Sequence, residues 1–457
     1  MTPSFIIADL ASELALFAAA GFLLFALDDL AVDLIYFGRR LWRAATVYSR
    51  FPRAFADRLA APRRSGRMAL FIPAWDEGEV VADMIRSTLE RWGDRDYRIF
   101  VGHYPNDPAT AAAVRAISDP RVEPVLLPHT GPTTKADCLN HLYDALVAAE
   151  CRECWTAKAV ILHDSEDLVH PLEIPLFDAL VERAVLVQLP VLPLPSASSH
   201  WISGHYCDEF AESHGKEMVV REAIGASIPL AGVGCAIERS ALARLSAKQD
   251  GRPFAADCLT EDYELGLRLG ELAESSMFVR IPAMPGSRAV VASRGHFPET
   301  LGTAVRQKAR WIGGIALSGW DRLGWSGGIG ERWMRMRDRR GPLAALLLVA
   351  GYAAAFLWLQ LGFAETLGAP ITLAVSPALA FLLKLNLALL LWRLLVRFGF
   401  VTAYYGVSEG LRSLPRMAVG NLIAILAVKR AIAIHLSGGP ARWDKTSHRF
   451  PVQENMR

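Results

Sequence analysis

Three carboxylates within four residues follow a short hydrophobic run in the chain. The run at 159–162 predicts a buried strand, and Asp164, Glu166 and Asp167 come directly after it. Clustered negative charge at the end of a buried strand is unfavourable unless a cation compensates it. Ligands of open α/β sheets bind beyond the carboxyl ends of strands, and carboxylates suit Mg²⁺ and Mn²⁺. These residues therefore predict a site for a metal ion and a phosphate, although a polar loop explains them equally well at this point.

A second acidic pair stands at the predicted start of an amphipathic helix. Thr260 is placed to cap a helix that runs to Leu272, so that Glu261 and Asp262 fall in its first turn. The helix dipole stabilises ionised carboxylates there, whereas a desolvated site would raise their pKa. A general base that takes a proton from a hydroxyl group could stand here. Acidic residues that only complement the start of a helix are an equally good explanation.

Three side chains of different chemistry share one face of another predicted helix. Gln307, Arg310 and Trp311 have the spacing i, i+3 and i+4. A guanidinium group binds phosphate oxygens through two parallel hydrogen bonds, and an indole ring stacks on the apolar face of a sugar. This face suits an oligosaccharide and a phosphate, and the alternative is a basic surface helix at a membrane.

Two weaker motifs contain a proline turn and a pair of glycines. Pro73 ends a predicted strand, and Asp76 and Glu77 after it could accept hydrogen bonds from a base or ribose, or cap the next helix. Gly232 belongs to a Gly-x-Gly stretch, where the backbone can approach a ligand closely. A helix cap and a tight turn are the simpler explanations of these two motifs.

The elements that must position these residues alternate between strand and helix. Hydrophobic runs at 68–73, 97–103, 122–127 and 159–162 predict four strands, with helical periodicity between and after them. This alternation predicts an α/β domain over residues 68–330 with a mostly parallel sheet.

The rest of the chain predicts attachment to a membrane at both ends of this domain. Residues 1–38 predict an N-terminal membrane anchor, and the arginine-rich residues 39–67 predict a basic cytoplasmic linker by the positive-inside rule. Residues 331–341 predict an interfacial helix, and 342–397 predict two transmembrane helices.

The last segment, 398–457, predicts interfacial or re-entrant helices followed by a cytoplasmic tail. A full span at 417–436 would place Lys429 and Arg430 at membrane depth, which is costly, so an interfacial or re-entrant helix is favoured over a crossing.

The bulk composition limits the classes of function. The 457 residues are 52% hydrophobic and carry a net charge of only +2, so no nucleic-acid partner is expected. Six cysteines in a chain of this length do not indicate a disulfide framework.

These stretches together resemble the family 2 glycosyltransferases, inverting enzymes with a GT-A fold, and especially the membrane-bound polysaccharide synthases. A closer likeness, carried by residues 100–110, 163–171 and 443–448, is to the bacteriophage adsorption protein B type of glycosyltransferase. The motifs that match the family are the proline-and-acid turn at 73–77, K-A-x-x-L-N at 135–140, a D-x-D-like motif at 164–166, T-E-D at 260–262 and Q-x-x-R-W at 307–311.

The resemblance implies a nucleotide-sugar-binding GT-A domain and a role for each motif. Asp164, with Glu166 or Asp167 as the second ligand, would bind Mg²⁺ or Mn²⁺, and Asp262 would be the catalytic base. The nucleotide sugar would contact Pro73, Asp76, Glu77, Lys135 and Asp164, and the acceptor or diphosphate would contact Gly232, Glu261, Gln307, Arg310 and Trp311.

The implied function is inverting, metal-dependent transfer from a nucleotide sugar, expected to be UDP-linked, to a growing polysaccharide. The enzyme would be a multi-pass protein of the bacterial inner membrane with a cytoplasmic catalytic domain. Its partners would be a glycan or lipid-linked acceptor, membrane lipid and an outer-membrane or export protein. The alternatives are transfer of one sugar to a lipid-linked acceptor, and a membrane receptor that keeps the fold without catalysis.

Three stretches depart from the family pattern, and one of them is Asp164-Ser-Glu-Asp167, which stands in place of D-x-D. The second strand ends in Gly102-His-Tyr-Pro-Asn-Asp107, where the family has an acidic turn that holds the base, so the contact to uracil stays open. Residues 443–448 loosely resemble the gating-loop motif of cellulose synthases.

Overall fold

The computed structural model describes residues 3–272, 275–368, 375–438 and 449–451. The stretch 443–448, which carries part of the family likeness, therefore lies outside the described residues.

One mixed sheet of seven strands forms the centre of the domain, in the order β3-β2-β1-β4-β6-β5-β7. Strand β6 runs antiparallel to both of its neighbours, and the other neighbouring strands are parallel. The predicted α/β fold with a mostly parallel sheet is confirmed. The strands are β1 Met68–Pro73, β2 Tyr97–His103, β3 Val122–Leu126, β4 Ala159–Leu162, β5 Leu186–Gln188, β6 Cys235–Glu238 and β7 Ser276–Phe278.

Helices cover the sheet and extend from it into a bundle of long apolar helices. Short non-α turns occur at Ala56–Arg58, Ser213–Glu217 and Gly313–Ser318. The α-helices are α1 Pro3–Thr46, α2 Val81–Trp92, α3 Pro108–Arg115, α4 Lys135–Glu153, α5 Glu173–Leu180, α6 Ile202–Glu212, α7 Met218–Ala223, α8 Arg239–Lys248, α9 Glu261–Glu271, α10 Leu301–Ile312, α11 Gly319–Leu323, α12 Ile329–Arg339, α13 Gly341–Thr366, α14 Pro377–Tyr405 and α15 Val407–Ser437.

Strand β1 is buried on both faces, which explains its unbroken hydrophobic sequence. Leu70 and Ile72 pack toward α2 and α5, while Ala69 and Phe71 pack toward α4, α8 and α9. Because β1 and β4 are parallel neighbours, Pro73 and the residues after Leu162 lie at the same edge of the sheet. The predicted acidic cluster is thus placed where parallel α/β sheets bind ligands.

Four helices are long and apolar enough to cross a membrane: α1, α13, α14 and α15. Helix α1 continues without a break to Thr46, so the first residues of the segment predicted as a basic linker are helical. The acids that interrupt its apolar sequence are paired with distant bases. Arg340 lies 2.6 Å from both Asp28 and Asp29, and Lys216 Nζ lies 2.5 Å from Asp33 Oδ1.

Helix α12 carries the basic residues that predict an interfacial helix. Arg335 is fully buried and pairs with Glu331 at 2.7 Å and with Glu271 at 3.0 Å. Arg337 lies 3.0 Å from Asp29. These charges therefore face the protein, where they join α12 to α1 and α9.

Helix α15 is one continuous helix of 31 residues. Near its start, buried Arg416 pairs with Asp208 of α6 at 2.7 Å. Farther along, Ala427 and Ala431 pack on Ala309 of α10. The interfacial position of this segment stays a prediction, and it is considered below with the path of the chain.

Candidate active site

A cavity of about 400 Å³ opens at the carboxyl ends of the strands, between the β4 turn and helices α9 and α10. The structure brings most of the predicted site residues to this cavity from four separate stretches. Those lining it are Lys135, Asp164, Glu166, Asp167, Glu261, Asp262, Gln307, Arg310 and Trp311.

One lysine of the cavity lies between acidic side chains of two different motifs. Lys135, the first residue of α4, places its Nζ 2.5 Å from Asp164 Oδ1 and 3.9 Å from Glu261 Oε1. Burial opposes the charge of Lys135, but Asp164, Glu261 and Asp262 outweigh it and raise its pKa above the usual value. The lysine is therefore a fixed positive charge between two acidic motifs that are far apart in sequence.

The turn after β4 is held by a buried histidine that the sequence analysis did not single out. His163 Nδ1 lies 3.0 Å from Asp167 Oδ2, and His163 Nε2 lies 3.0 Å from Glu173 Oε2. Burial lowers the pKa of His163, but the two carboxylates more than offset it and raise the pKa to about 10. The imidazolium thus donates to both acids at neutral pH.

This arrangement gives different roles to Glu166 and Asp167, the two candidates for the second metal ligand. Asp167 Oδ2 also accepts a hydrogen bond from the backbone N–H of Asp164 at 2.9 Å, so this oxygen holds the turn. Glu166 accepts from the hydroxyl of Ser165 at 3.2 Å and lines the same cavity. The geometry favours Glu166 as the partner of Asp164, with Asp167 supporting the turn.

The T-E-D stretch begins α9 as predicted, but its threonine does not act as predicted. Thr260 occupies the N-cap position, yet its hydroxyl makes no capping hydrogen bond and is packed against Gly314. The close approach of α9 to this glycine excludes the usual cap geometry. Glu261 and Asp262 nevertheless enter the cavity from the first turn of the helix.

Burial dominates the electrostatics of the two acids. It raises the pKa of Glu261 to about 7, with a further contribution from the neighbouring charge of Asp262. Burial also raises the pKa of Asp262, against the opposing effect of Lys135. A carboxylate with a raised pKa is a better general base near neutral pH.

Gly232, predicted to contact the acceptor or the diphosphate, lies directly beside Asp262. Its φ of 77° favours glycine, and a Cβ there would stand 2.7 Å from Asp262 Oδ2 and 3.3 Å from Lys135 Nζ. A side chain at this position would therefore displace Asp262 or Lys135.

Helix α10 presents Gln307, Arg310 and Trp311 to the cavity on one face. The ring of Trp311 meets Tyr206 edge-on, with centroids 6.1 Å apart. Gln307 Oε1 is buried and has no hydrogen-bond partner among the described residues, so it is available to a ligand donor. Arg310 opposes the rise in pKa of both Glu261 and Asp262.

The proline-and-acid turn at 73–77 stands apart from this cavity in the described part of the chain. Pro73 ends β1, while the backbone N–H groups of Asp76 and Glu77 donate to Asp107 and Thr110 at 2.5 and 2.8 Å. Asp76 has a φ of 55°, an unusual conformation for a residue with a side chain. The roles of these three residues toward the nucleotide stay predictions.

One further lining residue comes from the end of the described chain. Arg449 lines the cavity, and the next residue, Phe450, packs against the core around β1. The sequence signal nearest to this contact is the loose resemblance of residues 443–448 to the gating-loop motif of cellulose synthases.

Comparison with known proteins identifies the family. The sequence model for Glycosyl transferase family group 2 matches residues 159–407. Bacteriophage adsorption protein B of Escherichia coli strain K12 and bacteriophage N4 adsorption protein B of Escherichia coli O157:H7 are each 37% identical to this chain. Each alignment covers 93% of this chain and 60% of the relative, so the chain spans about 60% of their length.

Solved structures with a related architecture are more distant. A mannosyltransferase from Pyrobaculum calidifontis in complex with GDP-Man and Mn²⁺ is 17% identical, with a TM-score of 0.48, and covers 85% of this chain and 98% of its own. Glucosyl-3-phosphoglycerate synthase from Mycobacterium tuberculosis, in complex with Mn²⁺, UDP-glucose and phosphoglyceric acid, is 19% identical, with a TM-score of 0.34, and covers 57% and 81%.

The family match covers more than half of the chain and includes β4, the T-E-D helix and the Q-x-x-R-W helix. Four of the five family motifs, all except the proline-and-acid turn at 73–77, meet in one cavity at the expected edge of the sheet. The chain therefore belongs to the family 2 glycosyltransferases and is a glycosyltransferase with a GT-A fold and helices able to span a membrane.

Proposed function

We propose that this glycosyltransferase moves a sugar from a nucleotide sugar, with UDP as the expected nucleotide, to a growing polysaccharide by a metal-dependent, inverting reaction. The observation that carries the proposal is the meeting of Asp164, Lys135, Glu261 and Asp262 in one cavity. A diphosphate, a cation and a general base are needed together for this reaction, and the cavity offers groups suited to each.

The donor set fits a hard divalent cation. Asp164 and Glu166 provide carboxylate oxygens, which Mg²⁺ and Mn²⁺ prefer. The pKa of Glu261 near 7 reflects crowded negative charge as well as burial. Asp164 and Glu166 would hold the ion, with Asp167 fixing their turn. When bound, the ion would neutralise negative charge on the departing diphosphate.

The residues of the chain would carry the transfer in one step. A carboxylate oxygen of Asp262 takes the proton of an acceptor hydroxyl, and the hydroxyl oxygen attacks the anomeric carbon. The bond from this carbon to the diphosphate oxygen breaks on the opposite face, so the configuration inverts. Lys135 and Arg310 hold the diphosphate by charge, while Gln307 and Trp311 position the acceptor.

The test is turnover of labelled nucleotide sugars by the purified full chain in detergent. One donor of the panel should be consumed with Mg²⁺ or Mn²⁺ present, and a chelator should lower turnover at least ~100-fold. Turnover that persists unchanged after chelation would contradict the metal requirement without contradicting glycosyl transfer.

The size of the product tests the proposed acceptor. A ladder of increasing length would support polysaccharide synthesis, whereas a product one sugar longer than a lipid-linked acceptor would support the alternative. An export partner in the outer membrane would be expected only with the ladder.

The path of the chain supports a position of the end of α15 on the same side of the membrane as the catalytic domain. The chain leaves α15 at Gly438 and lines the cavity again at Arg449. Eleven residues reach at most about 39 Å even when fully extended. An extended crossing of the hydrocarbon region would leave backbone groups without partners. Helix α15 is therefore proposed to be interfacial or re-entrant, although it is long enough to cross.

This topology can be tested with single cysteines in intact cells. Cys151 and Cys154 are exposed and would first be replaced by serine. Ser437→Cys should resist a membrane-impermeant thiol reagent unless the cells are opened. Labelling of Ser437→Cys in intact inner-membrane vesicles of right-side-out orientation would show instead that α15 crosses.

A further inference from the structure

We propose that His129, Asp137 and His141 form a second metal site, separate from the carboxylate cavity, for a transition-metal ion such as Zn²⁺. Ligand atoms of the three side chains all lie within 4.8 Å of one another. His129 Nε2 is 3.2 Å from Asp137 Oδ2, and His141 Nε2 is 3.9 Å from Asp137 Oδ1. Atoms bound to one tetrahedral Zn²⁺ are about 3.4 Å apart, so small side-chain movements would close the site.

Two structural elements bring these side chains together. Asp137 and His141 are four residues apart on α4 and share one face of it. His129 comes from the segment between β3 and α4. That segment is held in place by Asn106, whose side chain accepts from and donates to Gly131 at 2.8 and 2.9 Å. The ligands are thus carried by a rigid helix and a fixed loop, as a metal site requires.

The local hydrogen bonding leaves ligand atoms available. Asp137 Oδ2 and His129 Nδ1 are buried and make no hydrogen bond of good geometry with any described residue. Burial lowers the pKa of His141, Asp137 opposes this effect, and Arg252 and His129 add to it. A neutral imidazole is the form that binds metals.

One cation already competes for the carboxylate. Arg252 Nη1 lies 3.7 Å from Asp137 Oδ1, and the side chain of Arg252 is half exposed. Among the described residues, Arg252 forms no second salt bridge. Because the distance is long and the side chain reaches solvent, Arg252 can move aside when an ion binds. Asp144 adds negative charge near His141, which favours a cation there.

The ligand chemistry differs from that of the carboxylate cavity. Two imidazoles and one carboxylate suit Zn²⁺ and similar transition metals, whereas Mg²⁺ prefers oxygen ligands alone. The partly exposed side chain of His129 leaves room for water at a fourth position. A bound ion would tie the loop to α4 only two residues after Lys135, and so would stabilise the wall of the donor cavity.

The test is Zn²⁺ binding to the purified full chain in detergent, measured by calorimetry with excess Mg²⁺ to occupy the carboxylate cavity. Cys151→Ser and Cys154→Ser form the background, since those exposed thiols are other candidate zinc ligands. One Zn²⁺ should bind per chain, and His129→Gln or His141→Gln should weaken binding at least ~10-fold. His200→Gln, at an exposed histidine elsewhere, is the matched control and should leave binding unchanged.

A variant with the opposite expected effect keeps the test decisive. Arg252→Gln removes the competing guanidinium and should strengthen Zn²⁺ binding, a gain that misfolding cannot produce. Zn²⁺ affinity that is unaffected by His141→Gln, or the absence of Zn²⁺ binding under excess Mg²⁺, would overturn the site. Should His141→Gln fail to fold, unchanged or weaker binding by Arg252→Gln would overturn it.

Discussion

Two regions of the molecule bury carboxylates, and they balance the charge in different ways. At the helix junction, where α1 meets the catalytic domain, the buried acids lie among several bases, and some of these bases pair with two acids. Asp33 pairs with Lys216 at 2.5 Å and accepts from Trp392 at 2.8 Å, and Asp28 pairs with Arg340 at 2.6 Å. Nothing further is needed there to neutralise the acids, so the junction is a structural element.

In the active-site cavity the acids share a smaller supply of positive charge. Asp164 and Glu261 both approach the single amine of Lys135, and burial raises the pKa of Glu261 to about 7. Negative charge that the fold leaves partly uncompensated is available to a metal ion or a proton. The comparison teaches that the balance of charge, and not burial alone, separates a functional cluster from a structural one.

The largest effect is expected for the base of the cavity. Asp262→Asn keeps the shape of the side chain but cannot take a proton, so turnover should fall by about 10³-fold with normal folding. Initial rates of nucleotide-sugar consumption measure it. Asp257→Asn, at an exposed acid five residues earlier, is the control and should retain activity. Full activity of Asp262→Asn would contradict the assignment of the cavity as the functional cluster and the helix junction as the structural one.

The second largest effect is expected at the helix junction, where a substitution should lower stability and leave turnover unchanged. Lys216→Met leaves Asp33 and Glu212 buried without their shared cation, which should lower the free energy of unfolding by about 3 kcal/mol. The thermal midpoint in detergent measures this change. Turnover per folded molecule should stay at the parent level, and the exposed Lys248→Met variant should change neither quantity.

A smaller effect is expected for the substitutions that distinguish the roles of Glu166 and Asp167 in the cavity. Glu166→Gln should weaken Mn²⁺ binding about 10-fold. Asp167→Asn should mainly lower stability, because His163 loses one of its two acidic partners. Titration of activity with Mn²⁺ and thermal unfolding of both variants separate the two roles. Equal losses of metal affinity would show that both acids are ligands.

The smallest effect is expected at the surface, where charge pairing matters least. Asp83 and Arg86 form an exposed pair at 3.0 Å on α2. Asp83→Asn should change the free energy of unfolding by less than about 0.5 kcal/mol. A larger loss in thermal unfolding would mean that pairing alone, even in water, stabilises this fold.

The fold and the composition of the cavity were predictable because the signals are local. Unbroken hydrophobic runs locate the first four strands, and acids directly after a strand or at a helix start fall at the ligand-binding edge. The role of His163 was not predictable, since it depends on Glu173 and on complete burial. The antiparallel β6 was also missed, because pairing direction depends on the path of the chain and not on the strand sequence.

Long-range contacts explain the remaining differences. Helix α1 continues past its acids because Arg337 of α12, Arg340 directly after α12 and Lys216 neutralise them, and no property of α1 itself signals this. Thr260 does not cap its helix because Gly314, far along the chain, occupies the adjacent space. The entry of Arg449 into the cavity likewise depends on the path of the whole chain.

Helix α9, which carries Asp262, packs closely against the backbone of another segment through two glycines. Gly266 and Gly270 have no side chains where α9 crosses the segment at 227–230, and a Cβ at Gly266 would collide with the carbonyl oxygen of Ile228. That same segment continues to Gly232, beside Asp262. A side chain at Gly266 or Gly270 would therefore force α9 away from this segment. Two glycines that do not line the cavity thus set how close Asp262 lies to Gly232.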